Sequence, residues 1–238
     1  MGSGPAETVV VPTQESLATA HGIESYDVIR QSLKEALAVI AKHQPDRIVT
    51  LGGDCSVSVA PFAALAERYG DDLAVVWLDS HPDVGTSDSE YDGFHAMAVA
   101  LLTGHGDPAL LSALPATFTP DRVALAGLHD WTEDDYPNIT AWGLTAFSPN
   151  DLRTSRAPFL DWLAGTGATK VAIHFDVDTV GSNEAVLGLG QVPHGLTGSQ
   201  VKDVLRDFEV VGLTVAEFIP RNVMLLQHIL SGVLTSLD

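Results

Sequence analysis

The run LAVVWLDSHPD places Asp79, His81 and Asp83 directly after a β-branched, apolar segment. Residues at i, i+2 and i+4 of an extended chain lie on the same side, so the three side chains can converge on one point. Two carboxylates and an imidazole together bind a divalent metal. The run VAIHFDVD repeats the arrangement, ending in Asp176 and Asp178 at i, i+2 spacing. Four acids gathered near strand ends repel unless a cation neutralises them. A lone DxD more often caps a helix or faces water, and its weight here comes from its pairing with DSHPD. His174 is in phase with Asp176 but lies upstream within the strand, which reads as a hydrogen-bonded core histidine. In TLGGDCSVS, Gly52 and Gly53 shape a tight turn into a helix. The run lacks GxGxxG and GK[ST], which argues against nucleotide binding. Glu217 ends a hydrophobic strand, where an unpaired acid is costly to bury and a cationic ligand would account for it.

These residues need elements to hold them. Short β-branched runs alternate with helix-patterned stretches, the signature of βαβ units and a mainly parallel sheet. Strands are expected at 8–11, 47–51, 73–78, 121–126, 140–147, 170–176 and 211–217, and helices at 25–42, 57–69, 94–104, 150–164, 198–208 and 222–235. Asn150 and Thr197 are candidate helix N-caps. No repeat or long linker divides the chain, so residues 1–238 read as a single α/β domain, with MGSG a possible cloning remnant. In open α/β sheets ligands bind beyond the carboxyl ends of the strands, where the Asp and His runs fall.

The chain carries 31 acidic against 12 basic residues, a formal net charge of -19. That field repels phosphate backbones and anionic lipid surfaces, so nucleic acid and membrane are poor partners and small cations good ones. There is no run of about 20 apolar residues and no signal-like start, and the only cysteine is Cys55. A cytoplasmic protein is the expectation.

The ordered set GGDCS, DSHPD, FHAMA, HFDVD and LTVAEFIP, from Leu51 to Pro220, resembles the ureohydrolase (arginase, agmatinase and formimidoylglutamase) pattern of GGDHS, DAHxD, a downstream His, SxDxDxxDP and a late Glu. The resemblance implies an arginase-like three-layer α/β/α sandwich with two manganese ions at the carboxyl edge of its sheet. It implies that Asp79 and Asp176 bridge the metals, that His81 and Asp178 complete one site, and that Asp83 and Cys55 belong to the other. It further implies a proton-shuttling role for His95, a guanidinium partner in Glu217, and an orienting role for Asp83 toward the attacking hydroxide. The implied activity is hydrolysis of a linear guanidino or formimino C–N bond. Metal binding lowers the pKa of water from about 16 to about 7, which supplies that hydroxide at neutral pH.

Several positions depart from the pattern. Cys55 stands where the pattern has His, and a thiolate favours zinc, iron or cobalt over manganese. Alternatively Cys55 is a small buried hydrophobe beside a weak second site. Gly181 and Ser182 replace the DP pair, while Gly85 and Thr132 replace an Asn and an Asp that in arginases contact the substrate's amino-acid end. Arginine is therefore the less expected substrate. The alternatives are a mononuclear amide hydrolase and a non-catalytic relative on the same fold. Little precedes residue 8, and a homo-oligomer would cover the sheet edge this exposes.

Overall fold

The structure is a computed structural model that describes residues 4–11 and 18–234. Its strands are β1 (Ile48–Leu51), β2 (Leu73–Leu78), β3 (Val123–Ala126), β4 (Thr145–Phe147), β5 (Lys170–Asp176) and β6 (Glu209–Ala216). They form one sheet in the order β1-β6-β5-β2-β3-β4, and every pairing is parallel. Parallel neighbours need crossovers, and the crossovers here are helical: α1 (Tyr26–His43), α2 (Val59–Tyr69), α3 (Ala98–Leu102), α4 (Pro108–Leu111), α5 (Tyr136–Trp142), α6 (Pro149–Thr154), α7 (Ala157–Thr166), α8 (Gly198–Leu205) and α9 (Val223–Leu234).

Both faces of the sheet are covered, which is why β2 reads as an unbroken apolar run, LAVVWL, and is buried throughout. Its period of two still operates. Leu73, Val75 and Trp77 enter a core with Phe62, Leu65 and Leu101 from α2 and α3. Val76 and Leu78 enter a second core with Phe159 of α7, Val201 of α8 and Ile229 of α9. The result is the α/β sandwich expected from the sequence, and no described helix is long and apolar enough to cross a membrane.

Several element boundaries differ from the sequence reading. Residues 8–11 form no strand, and Val10 and Val11 are exposed, since no neighbouring strand receives them. β1 is consequently an edge, with Leu51 73% exposed. The first half of 140–147 is helical, because Pro137 opens α5 in its first turn and Gly143, at φ 80, closes it. Ser148, not Asn150, caps α6, in a capping box with Asp151. The single helix expected over 150–164 is split before α7, where Pro158 lacks an N–H and clashes with a preceding carbonyl. The stretch 94–104 begins as a 3₁₀ turn, Phe94–Met97, before α3. Thr197 caps α8 as expected, in a capping box with Gln200.

Candidate metal centre

From β2 the chain moves outward to β3, while β5 returns to the opposite side of β2, so a crevice opens at the carboxyl ends of β2 and β5. The register aligns Leu78 with Phe175, bringing the following acids, Asp79 and Asp176, side by side. The same local turn aims both. Asp79 Oδ1 accepts the His81 N–H at 2.8 Å, and Asp176 Oδ1 accepts the Asp178 N–H at 2.8 Å. Asp83 has a left-handed backbone, φ 50, a conformation Asp tolerates better than most residues. Its carbonyl accepts from Val99 and Ala100 at 3.0 and 3.2 Å, which ties the loop to α3.

Cys55 begins the 3₁₀ turn Cys55–Ser58, and the Asp54 carboxylate caps that turn by accepting the Ser56 N–H. Gly53, at φ 73, would be strained by any side chain, since its Cβ would lie 2.4 Å from Val57 Cγ1. The turn delivers Cys55 Sγ to 3.1 Å from Asp176 Oδ2 and 3.7 Å from Asp79 Oδ2.

Potential ligand atoms gather in three overlapping sets: Cys55, Asp79, Asp83 and His174; Cys55, Asp176 and Glu217; and Asp79, His81 and Asp178. Within each set the atoms all lie within 4.8 Å of one another. The structure thus brings together Cys55, Asp79, His81, Asp83, Asp176 and Asp178, with Glu217 among them. His95 is in none of the sets. It lies on the Phe94–Met97 turn, with Nε2 3.4 Å from the Tyr91 hydroxyl.

Burial, and then the Asp79 charge, push the Asp83 and Asp176 carboxyls well above the usual range. Burial and the Asp83, Asp79 and Asp176 charges push the Cys55 thiol up as well. Burial also acts to raise Asp79, but His174 and His81 outweigh it and hold that carboxyl down. Burial alone would lower His81, yet Asp178 at 3.2 Å and Asp79 at 3.5 Å push it up to about 12. Asp83 Oδ2 and His174 Nε2 are fully buried without a hydrogen-bond partner. Buried polar atoms without a hydrogen-bond partner are rare and call for an explanation. A divalent ion fits this donor set of carboxylates, imidazoles and one thiol, and would satisfy both atoms.

Three participants escaped the sequence reading. Ser80 Oγ donates to Asp178 Oδ1 at 2.7 Å. Asp130, in the loop after β3, places Oδ2 3.4 Å from His81 Nε2. His174 is a core histidine, as read, with Nδ1 hydrogen-bonded to Ser58 Oγ, but its Nε2 faces the acids. Its phase with Asp176 was the available signal. The departures have packing causes too. A Cβ on Gly85 would meet Ala96 O at 2.9 Å, and one on Gly181 would meet the Gly195 N at 2.9 Å. Thr132 Oγ1 donates to Asp135 at 3.1 Å.

Fold and site define an α/β protein with a candidate divalent-metal centre at the carboxyl edge of a parallel sheet. A sequence model described as "Arginase family" matches residues 7–223, and the chain belongs to the arginase family. It is 25% identical to an arginase of Staphylococcus aureus (strain MSSA476) over 200 residues, 78% of this chain and 66% of that protein. The chain spans about two thirds or less of the length of the first curated relatives it matches. Among solved structures it is similar to Entamoeba histolytica arginase in complex with L-ornithine, with TM-score 0.83 and 20% identity, covering 97% of this chain and 83% of that one. It is also similar to Bacillus subtilis formimidoylglutamase, with TM-score 0.67 and 19% identity, covering 90% of this chain and 67% of that one. At these identities the structural likeness establishes the fold alone.

Proposed function

We propose that the chain is a metal-dependent hydrolase of a linear guanidino or formimino C–N bond, with Asp79, His81, Asp83, Asp176 and Asp178 as its principal metal ligands. The observation that carries the reading is the convergence of four acids with an orphaned Asp83 Oδ2 and an imidazole at the carboxyl edge, in a member of the arginase family. A bound divalent cation, manganese or, given Cys55, zinc, iron or cobalt, supplies Lewis-acid activation of water. Water adds to the guanidinium carbon, the bond from that carbon to the substituted nitrogen breaks, and urea and an amine leave.

The chain's own residues then have separable tasks. Glu217, half-buried beside Cys55 and Asp176, receives the planar cation through charge-assisted hydrogen bonds. Asp83 orients the attacking oxygen, and His95, on the Phe94–Met97 turn, holds the proton the departing amine needs. The net charge of -19 favours a cationic substrate over an anionic one. A mononuclear or non-catalytic relative is the second reading, favoured by the Cys55 thiol donating to Asp176. A cytoplasmic homo-oligomer that covers the β1 edge completes the proposal.

The test is metal analysis of the purified chain together with urea release from a panel of guanidino compounds. Bound divalent metal with metal-dependent urea release is expected. Protein soaked in excess manganese, zinc and cobalt that retains none would sink the reading. Two bound metals with neither urea from any guanidino compound nor formamide from any formimino compound would shift it to another amide hydrolase.

A further inference from the structure

His174 is an odd core residue. Its side chain is fully buried, and the ring stacks on Trp77 at a centroid distance of 3.6 Å with 9° between the planes. Nδ1 is held 2.7 Å from Ser58 Oγ. Nε2 approaches Asp79 Oδ2 at 3.4 Å, an ion-pair distance, but makes no hydrogen bond. A histidine kept only for packing would have both nitrogens satisfied. Here one is fixed and the other is aimed into the acidic cluster, toward the same space as the orphaned Asp83 Oδ2.

We infer that His174 supplies the imidazole missing at position 55, so that the second metal site is Cys55, Asp79, Asp83 and His174. The inference rests on the metal-dependent reading above and assigns one of its sites. A metal-ligating histidine commonly donates its other N–H to a fixed acceptor, which sets the tautomer. The Ser58 hydroxyl can rotate to accept from Nδ1–H, leaving the Nε2 lone pair facing the acids. Stacking on Trp77 fixes the ring plane, so little rotamer freedom remains to be lost on binding. The position also explains the exchange: β5 carries residue 174 on the same side as Asp176, one pleat below it, so an imidazole from there reaches the cluster from beneath. One sulfur, one nitrogen and two carboxylate oxygens suit a four-coordinate zinc or cobalt better than manganese.

The test uses the full chain, stripped of metal and titrated with cobalt(II) chloride. The unsubstituted chain should bind two ions and develop a thiolate-to-cobalt charge-transfer band in the near ultraviolet. His174→Gln should lose one ion and that band while keeping the other ion. Adding Cys55→His to His174→Gln should restore the second ion, because an imidazole then stands at position 55, on the Cys55–Ser58 turn. Retention of both ions and the band by His174→Gln would overturn the inference. A single ion bound equally by both chains would also overturn it, yet leave the metal reading standing on Asp79, His81 and Asp178. No ion in the unsubstituted chain would sink both. If His174→Gln does not fold, ¹⁵N-histidine spectra of the unsubstituted chain during zinc titration decide the matter. Shifts of both the His81 and His174 imidazoles support the assignment, and a shift of His81 alone overturns it.

Discussion

Replacing Glu217 by Gln separates substrate binding from metal binding. The Glu217 backbone lies in the left-handed region, φ 57, and its N–H donates to Gly53 O at 2.9 Å. Neither feature involves the carboxylate, so a Gln of the same length keeps the local geometry. Burial, and then Asp54, Asp178 and Asp79, raise the Glu217 carboxyl, so its ionised form is held against an unfavourable field. A raised folded-state pKa contributes stability below the unfolded value, about 4.3, that is lost as pH rises through the folded one. At neutral pH the amide should therefore leave the metal-free protein at least as stable as before. The loss falls on the substrate. A charge-assisted hydrogen bond is worth about 1.5–3 kcal/mol. At about 1.4 kcal/mol per tenfold, kcat/KM should fall by about 10- to 150-fold. Steady-state urea release, metal content and a melting curve on the same preparation test this. Unchanged kcat/KM would refute the guanidinium role. Loss of a metal ion would reassign Glu217 as a ligand, which its place within 4.8 Å of Cys55 and Asp176 also permits.

Three further outcomes follow from the same geometry. In the metal-free protein Asp83 and Asp176 are raised by burial and Asp79, and His81 is pushed up to about 12, so stability they confer at low pH is lost as pH rises through their folded values. Asp79 is held down, so its contribution is lost only as pH falls below about 4. Metal-free protein should melt lower at pH 8 than at pH 5, and metal affinity should rise with pH with release of protons; a pH-independent affinity by titration calorimetry would contradict the burial argument. Gly181→Asp, which restores the family carboxylate, should destabilise the chain by about 1–3 kcal/mol, because its Cβ meets the Gly195 backbone at 2.9 and 3.1 Å; an unchanged melting temperature would show that this loop yields. With Gly85 packed against Ala96 O and Thr132 engaged by Asp135, L-arginine should be turned over no better than decarboxylated or shortened guanidino compounds, and a clear preference for it in the urea assay would show that other residues hold the amino-acid end.

The apolar runs of β2 and β5, with acids directly after them, made a parallel sheet with acids at its carboxyl edge legible, because burial on both faces is a local property of the chain; beyond the strand ends it is bends and the Val177–Thr179 turn, not strand period, that aim the side chains. Thr197 was legible as a cap for the same reason. Pro137 and Gly143, which turn 136–142 into a helix, were legible too, although 140–147 reads as a strand. What the chain alone did not contain was the lateral order of the strands. Only the pairing of β2 with β5 sets Asp79 beside Asp176, and only the Cys55–Ser58 turn places Ser58 under His174. That contact joins residues 116 positions apart, and it changes His174 from a buried ring into an imidazole with one fixed nitrogen and one aimed at the acids. Sequence spacing fixes which side of its own strand a residue occupies; which other strand's residues it meets there is decided by the packing of the whole sheet.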